Sequence, residues 1–362
     1  MTLTLQLRNT GIWKSIEEIP GVAKACLEGA PADAARAAGM EIAHGGMTRA
    51  YLFGCGSSYF AALASASALS RLTRIDSDAY EAFEFLHYKL RGRLDSAAAL
   101  AFSHTGHTIA TTEAARASRD AGALTVAFTD CPDSPLSQAC RYLVDSGFGL
   151  EPVYPKTRSF ISTLMLGYQT AAAAGGAAQV IPELRTTALL LEDALKLEKS
   201  AQDTACRTLG CKTVLVVGGG PALPAAMEVA LKFKECAAMR AEVIEAEDAL
   251  HGSLLSVDKS TLVVGLLSDG PADARTAGFL KAAASIGCPV VAISAAKVSL
   301  DGLTALSVPS WGIPELFSVP ILVTVGYLLV SHSALARGLN PDSPRSGDDA
   351  YARAQELLPE IS

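Results

Sequence analysis

Arg49-Ala50-Tyr51-Leu52-Phe53-Gly54-Cys55-Gly56-Ser57-Ser58 is an apolar, β-rich run that ends in a glycine-flanked turn and opens an alanine-rich, helix-length segment. The same order returns at Thr213-Val214-Leu215-Val216-Val217-Gly218-Gly219-Gly220-Pro221, so that Gly54 matches Gly218, 164 positions on. Apolar runs at 98–102, 123–128 and 142–144 follow the first, and runs at 261–267, 289–293 and 305–308 follow the second. Ser103 matches Ser268 and Thr129 matches Ser294 at 165 positions, and Glu151 matches Glu315 at 164. A near-constant spacing of this kind predicts a tandem duplication of one unit. Helix-length segments at 59–72, 109–120, 224–238 and 272–285 alternate with the strands. This alternation predicts an α/β fold of two flavodoxin-like units, each a parallel sheet with helices on both faces, α/β/α.

The 362 residues and 37.5 kDa accommodate two such domains, at about one per 150 residues. The organisation expected is a helical extension at 1–47, a first domain at 48–185, a helical connector at 186–208, a second domain at 209–345 and a polar tail at 346–362. Half the residues are hydrophobic and 19% charged, which excludes a disordered chain. The formal net charge is -7 with no basic stretch, so no nucleic-acid partner is expected. Eight cysteines are scattered without a C-x-x-C pair or a His/Cys cluster, which fits reduced thiols in a cytoplasmic protein without a metal or other cofactor. No basic segment followed by an apolar run opens the sequence, so no secretory signal is expected. The uncharged stretch 316–336 could by hydropathy cross a membrane, but it falls opposite 160–178 of the first unit, another long uncharged helix, and is expected to be buried with no membrane partner.

The turn at Gly54–Ser58 lets the backbone approach a ligand, and the helix start behind it offers N–H groups and a partial positive charge. The next apolar run ends in Ser103-His104-Thr105-Gly106-His107-Thr108. Two hydroxyl-rich turns at the ends of neighbouring parallel strands make a cradle for one phosphate, although each alone reads equally as a helix cap. The matching positions of the second unit, Gly218-Gly219-Gly220-Pro221 and Ser268-Asp269-Gly270, have fewer hydroxyls and an acid. One anion site per chain is therefore expected. Neither G-x-x-x-x-G-K-[ST] nor G-x-G-x-x-G with a downstream acid occurs, which argues against a nucleotide. Glu228, Lys232 and Glu235 fall at i, i+4 and i+7 and share one helix face. Periodicity alone reads that face as solvated, with an ion pair worth roughly a few tenths of a kcal/mol. His251, in Leu250-His251-Gly252, reads alone as a loop residue.

Together the two turns, Thr157-Arg158-Ser159-Phe160, the Glu-x-Ala-Leu-Lys-x-Lys-Glu helix, the later His-Gly and the opening Ile16-Glu17-Glu18-Ile19-Pro20 resemble the tandem sugar isomerase (SIS) domain family, in the pattern of the isomerase half of glucosamine-6-phosphate synthases. The resemblance covers roughly residues 12–345. It implies that Gly56, Ser57, Ser58, Ser103, Thr105 and Thr108, with His104 beside them, hold a sugar phosphate. It implies that Glu235 shuttles a proton between C1 and C2 through an enediol or enolamine, and that His251 assists ring opening. Lys232, Glu228, Arg158 and Ser159 would shape the sugar pocket. A homodimer with a shared active site is implied, because in the family the histidine loop often crosses to the partner.

Position 2 is threonine rather than cysteine and no glutaminase segment stands in the sequence, so glutamine-derived ammonia is not expected within this chain. The last lysine is Lys297, and Asn340-Pro341-Asp342-Ser343-Pro344-Arg345 offers only arginine where the synthase has a reactive tail lysine. His104 replaces an amide and Arg158 a lysine. The expected function is a phosphosugar isomerase for a hexose or amino-sugar 6-phosphate, with or without loss of ammonia. A fructosamine 6-phosphate deglycase and a non-catalytic phosphosugar sensor are the alternatives.

Overall fold

Alternating apolar strands and helices build two five-stranded sheets in which every strand pair is parallel. The structure, a computed structural model, describes residues 3–295, 300–308 and 313–360; Lys297 lies outside the described residues. Helices α1 (Leu3–Arg8), α2 (Gly11–Ala25) and α3 (Gly29–His44) precede β1 (Arg49–Gly54), α4 (Ser57–Leu72) and β2 (Asp76–Glu81). Next come α5 (Ala82–Glu84), β3 (Ala97–Phe102), α6 (Ile109–Asp120), β4 (Leu124–Phe128), α7 (Pro135–Ala139), β5 (Tyr142–Val144) and α8 (Arg158–Ala174). Helices α9 (Ile181–Leu195) and α10 (Glu198–Arg207) lead to β6 (Thr213–Gly218), α11 (Ala222–Ala237), β7 (Arg240–Glu245) and β8 (Thr261–Leu267). The chain closes with α12 (Asp273–Ser285), β9 (Val290–Ser294), β10 (Thr304–Ser307), α13 (Val319–Ala336) and α14 (Asp349–Gln355).

The sheets share one strand order: β2-β1-β3-β4-β5, and β7-β6-β8-β9-β10 read from the β7 edge. In each, the winding reverses between the first strand and its inner neighbour, where open α/β sheets bind ligands. The inner strands β3 and β8 are buried along their whole length. The edges β2 and β7 are polar and half-exposed, and the sequence reading passed over both for that reason. Asp76 and Asp78 of β2 are paired by Arg49 of β1, at 2.9 and 2.6 Å.

Two compact units result. The first-sheet unit comprises Gly21–Glu151, Arg158–Arg185 and Asp349–Ser362; the second-sheet unit comprises Met1–Pro20, Pro152–Thr157 and Thr186–Asp348. The amino-terminal helices are thus divided between the units. In the first, Phe102 and Phe128 are register partners and stack with ring centroids 4.4 Å apart.

In the second-sheet unit α13 packs against α11 and α10. The helix Glu315–Ala336 is long and apolar enough to cross a membrane, but 89% of its apolar window is buried inside the structure, so it is a core helix. A Cβ on Gly326 would stand 2.4 Å from Val229 Cγ2 at the α11 contact, so the contact depends on glycine. The Asp342 carboxylate accepts the Gly11 and Ile12 N–H groups at 2.7 and 2.8 Å, capping α2.

His332 on α13 is fully buried, and neither ring nitrogen has a hydrogen-bond partner among the described residues. From α10 it faces Glu198, whose Oε1 is 3.9 Å away and whose other oxygen is held by Arg8 of α1, together with Lys199 and Asp203. Burial pushes its pKa down to about 4, helped by Lys199 and opposed by Asp203. The folded value thus lies below the unfolded one of about 6.5, so the unfolded chain takes up the proton first. Its contribution to stability is intact above about pH 6.5 and is lost as pH falls towards 4, by about 3 kcal/mol in all. Denaturant titrations between pH 7 and 4 should show that slope for wild type and a shallower one for His332→Gln; equal slopes would refute it.

Candidate functional site

The first-sheet unit places two turns side by side at its switch point, since Gly54 and Phe102, which lead into them, are register partners. Gly56 adopts φ 54° immediately before Ser57 begins α4, a conformation that favours glycine. Ser57 and Ser58 form the first turn of that helix. In the second turn Gly106 has φ 67°, and a Cβ there would stand 2.1 Å from Ser134 Oγ. Ser103 Oγ accepts the Gly106 N–H at 3.1 Å and lies 3.1 Å from Thr108 Oγ1; Thr105 Oγ1 accepts the His107 N–H at 3.2 Å. The structure therefore brings Gly56, Ser57, Ser58, Ser103, Thr105 and Thr108 to one end of one sheet.

His104, expected beside the phosphate, joins the turn to two neighbouring segments. Its Nε2 accepts the Glu151 N–H at 3.0 Å, so the proton resides on Nδ1 and is donated to Asp130 Oδ2 at 2.8 Å. Asp130 in turn accepts the Ser146 hydroxyl. The buried Glu151 carboxylate accepts the Arg158 and Ser159 N–H groups at 3.3 and 3.1 Å and the Ser159 hydroxyl at 2.8 Å. Arg158 Nη2 donates to Gly149 O at 3.1 Å. His104, Arg158 and Ser159 thus anchor the loops around the cradle.

The corresponding turn of the second sheet is already filled. Ser268, Asp269 and Gly270 donate three consecutive N–H groups to the Asp273 carboxylate, at 3.0, 2.8 and 3.3 Å. Asp273 stands 165 positions after Thr108, so a carboxylate occupies the nest where the first sheet offers a hydroxyl. Burial raises its pKa, and the three N–H groups only partly oppose this. A Cβ on Gly270 would also stand 1.7 Å from Glu315 Oε2, which closes the turn further.

On α11, Glu228, Lys232 and Glu235 are not a solvated face. Glu228 and Lys232 are buried, and Glu235 is 19% exposed. Lys232 Nζ lies 2.6 Å from Glu235 Oε2 and 3.2 Å from Glu228 Oε1, and the Tyr327 hydroxyl donates to Glu228 Oε1 at 3.0 Å. Burial opposes the ammonium charge, but the two carboxylates outweigh it and hold the Lys232 pKa well above its ordinary value. Glu235 is the accessible member of the cluster. His251 is not brought to this cluster. Its side chain is 72% exposed, and Nε2 faces Glu247 Oε1 at 3.5 Å.

The sequence reading missed Glu81, at the end of β2. It is the register partner of Gly54, and desolvation pushes its pKa up, with Gly56 and Cys55 partly opposing this. The signal available was Glu245, which stands 164 positions on, the spacing that relates Gly54 to Gly218.

The fold is that of a doubly wound α/β protein with two hydroxyl-bearing turns at the switch point of its first sheet. The chain belongs to the SIS domain family, whose model matches residues 47–173 and 209–300, giving two SIS domains. It is 31% identical over 349 residues to the glutamine–fructose-6-phosphate aminotransferase (isomerizing) of Aeropyrum pernix, covering 92% of this chain and 55% of that protein. The chain spans about half the length of the curated relatives it matches. Among solved structures it resembles the C-terminal domain of glucosamine-fructose-6-phosphate aminotransferase from Francisella tularensis, with TM-score 0.82, 22% identity, and 93% and 98% of the two chains covered. It also resembles tagatose-6-phosphate ketose/aldose isomerase from Escherichia coli, with TM-score 0.78, 19% identity, and 93% and 95% covered.

Proposed function

We propose that this SIS protein is a cytoplasmic phosphosugar isomerase, which interconverts aldose and ketose forms of a hexose or amino-sugar 6-phosphate through an enediol or enolamine. The observation that carries this reading is the contrast between the two sheets: hydroxyl-lined turns stand at the first switch point, and Asp273 fills the nest at the second. The cradle binds the phosphate, and the acid–base step is assigned to Glu235, the accessible carboxylate beside a permanently charged lysine. A tandem duplication accounts for the shared strand order. A homodimer is supported by the exposed His251 with Leu250 and Leu255 exposed beside it, and is checked by sedimentation.

The test is proton and phosphorus NMR in heavy water with fructose 6-phosphate, glucosamine 6-phosphate, galactosamine 6-phosphate and a fructosamine 6-phosphate adduct. Deuterium at C1 or C2 with interconversion of hexose phosphates establishes the isomerase. Amine released together with free hexose phosphate from the adduct would replace it with the deglycase, and binding without exchange would replace it with the sensor. Ser103→Ala with Thr105→Ala should weaken 6-phosphate sugars at least about tenfold and leave unphosphorylated sugars as poor as before. Equal losses for both would reduce the turns to helix caps.

A further inference from the structure

Two residues beside the first switch point have no counterpart across the duplication. At the 165-position spacing His104 matches Asp269 and Asp130 matches Ala295, whereas Glu151 is kept as Glu315. The histidine–aspartate pair therefore occurs only in the sheet whose turns carry the hydroxyls. Both side chains are shielded, 10% and 4% exposed, and they meet at 2.8 Å. The backbone is held at the same place, since the Asp130 N–H and the Thr129 hydroxyl both donate to His104 O, at 3.0 and 3.1 Å.

On its other edge the ring accepts the Glu151 N–H at 3.0 Å. Glu151 and Arg158 are the residues at which the chain leaves and re-enters the first-sheet unit, on either side of Pro152–Thr157. The Glu151 carboxylate closes that neck through the Arg158 and Ser159 N–H groups and the Ser159 hydroxyl. A neutral histidine serves both ends only with its proton on Nδ1. Moved to Nε2, the proton would face the Glu151 N–H and leave two donors opposed.

We propose that His104 is a positioning residue that couples the phosphate-binding turn to this neck, so that the turn keeps its binding shape only while the Glu151 link is made. This rests on the phosphosugar reading above. The histidine acts through Ser103 and Thr105, its neighbours in the turn, whose hydroxyls accept the Gly106 and His107 N–H groups. Coupling of this kind is reciprocal, so a ligand that stiffens the turn also holds the neck closed.

Glutamine can stand in for the ring on both edges, because its amide offers an acceptor and a donor side by side, whereas leucine offers neither. The probe is fructose 6-phosphate, or whichever of the phosphosugars above binds wild type. In calorimetric titrations His104→Leu should bind it at least about tenfold more weakly than wild type, and His104→Gln within about threefold. Hydrogen exchange at the Glu151, Arg158 and Ser159 amides should slow on binding in wild type and in His104→Gln. A leucine variant that binds like wild type, a glutamine variant as weak as the leucine one, or exchange that the ligand leaves unchanged each overturns the proposal. Should His104→Leu fail to fold, the ring itself decides: nitrogen NMR of histidine-labelled wild type, assigned against His104→Gln, should show a proton on Nδ1 and none on Nε2. A proton on Nε2 overturns the proposal. If no phosphosugar binds wild type, the phosphosugar reading fails and takes this role with it, whereas the other failures leave that reading standing.

Discussion

Glu235→Gln is expected to cut turnover at least about 100-fold while leaving phosphosugar affinity within about threefold, the signature of a lost general acid–base group. The amide keeps the size of the side chain and can still accept from Lys232 Nζ, 2.6 Å from Glu235 Oε2, but it cannot take up and return a proton. Glu235 is the accessible member of its cluster, so the variant should unfold at nearly the wild-type temperature. Near-normal turnover with a proven substrate would remove Glu235 from the chemistry.

Lys232→Met is expected to cost about 3–5 kcal/mol of stability, because it removes the ammonium that stands 3.2 Å from the buried Glu228 carboxylate. Tyr327 would still donate one hydrogen bond to Glu228, which does not neutralise the charge. Denaturant unfolding should show the loss, and Glu228→Gln added to Lys232→Met should recover most of it by removing the buried carboxylate. A loss below about 1 kcal/mol for the single variant would mean that the pair is far better solvated than its burial indicates.

The apolar strands were legible because parallel strands covered on both faces read as unbroken hydrophobic runs: Arg49–Gly54, Tyr142–Val144 and Thr261–Leu267 have the bounds expected of them. The polar edges were not legible, since Asp76-Ser77-Asp78 looks like a loop until Arg49 is seen beside it. Glu81 was lost with its strand. His104 was found by its position in a turn, but its partners Asp130 and Glu151 lie 26 and 47 residues away and no local pattern announces them. The i, i+4 spacing of Glu228 and Lys232 is the same on a surface and in a core; what separates the two cases is Tyr327, 99 residues distant. The asymmetry between the matching turns was readable from Asp269 and the lost hydroxyls, although the residue that fills the nest is Asp273, one turn further on.

The grip of Asp342 on Gly11 and Ile12 bears on the order in which the molecule is made. On a ribosome, every strand of the first sheet has emerged once residue 144 has left the exit tunnel, and that unit can condense while synthesis continues. Met1–Pro20, synthesised before any strand of either sheet, belongs to the unit whose sheet is completed second, and α2 has no cap until Asp342 appears. That segment therefore waits while more than 300 further residues are synthesised, a natural client for a holding chaperone. Nascent chains stalled near residue 200 should yield a protease-resistant first-sheet core with residues 1–20 still cleavable, and resistance of that segment at that length would contradict this order.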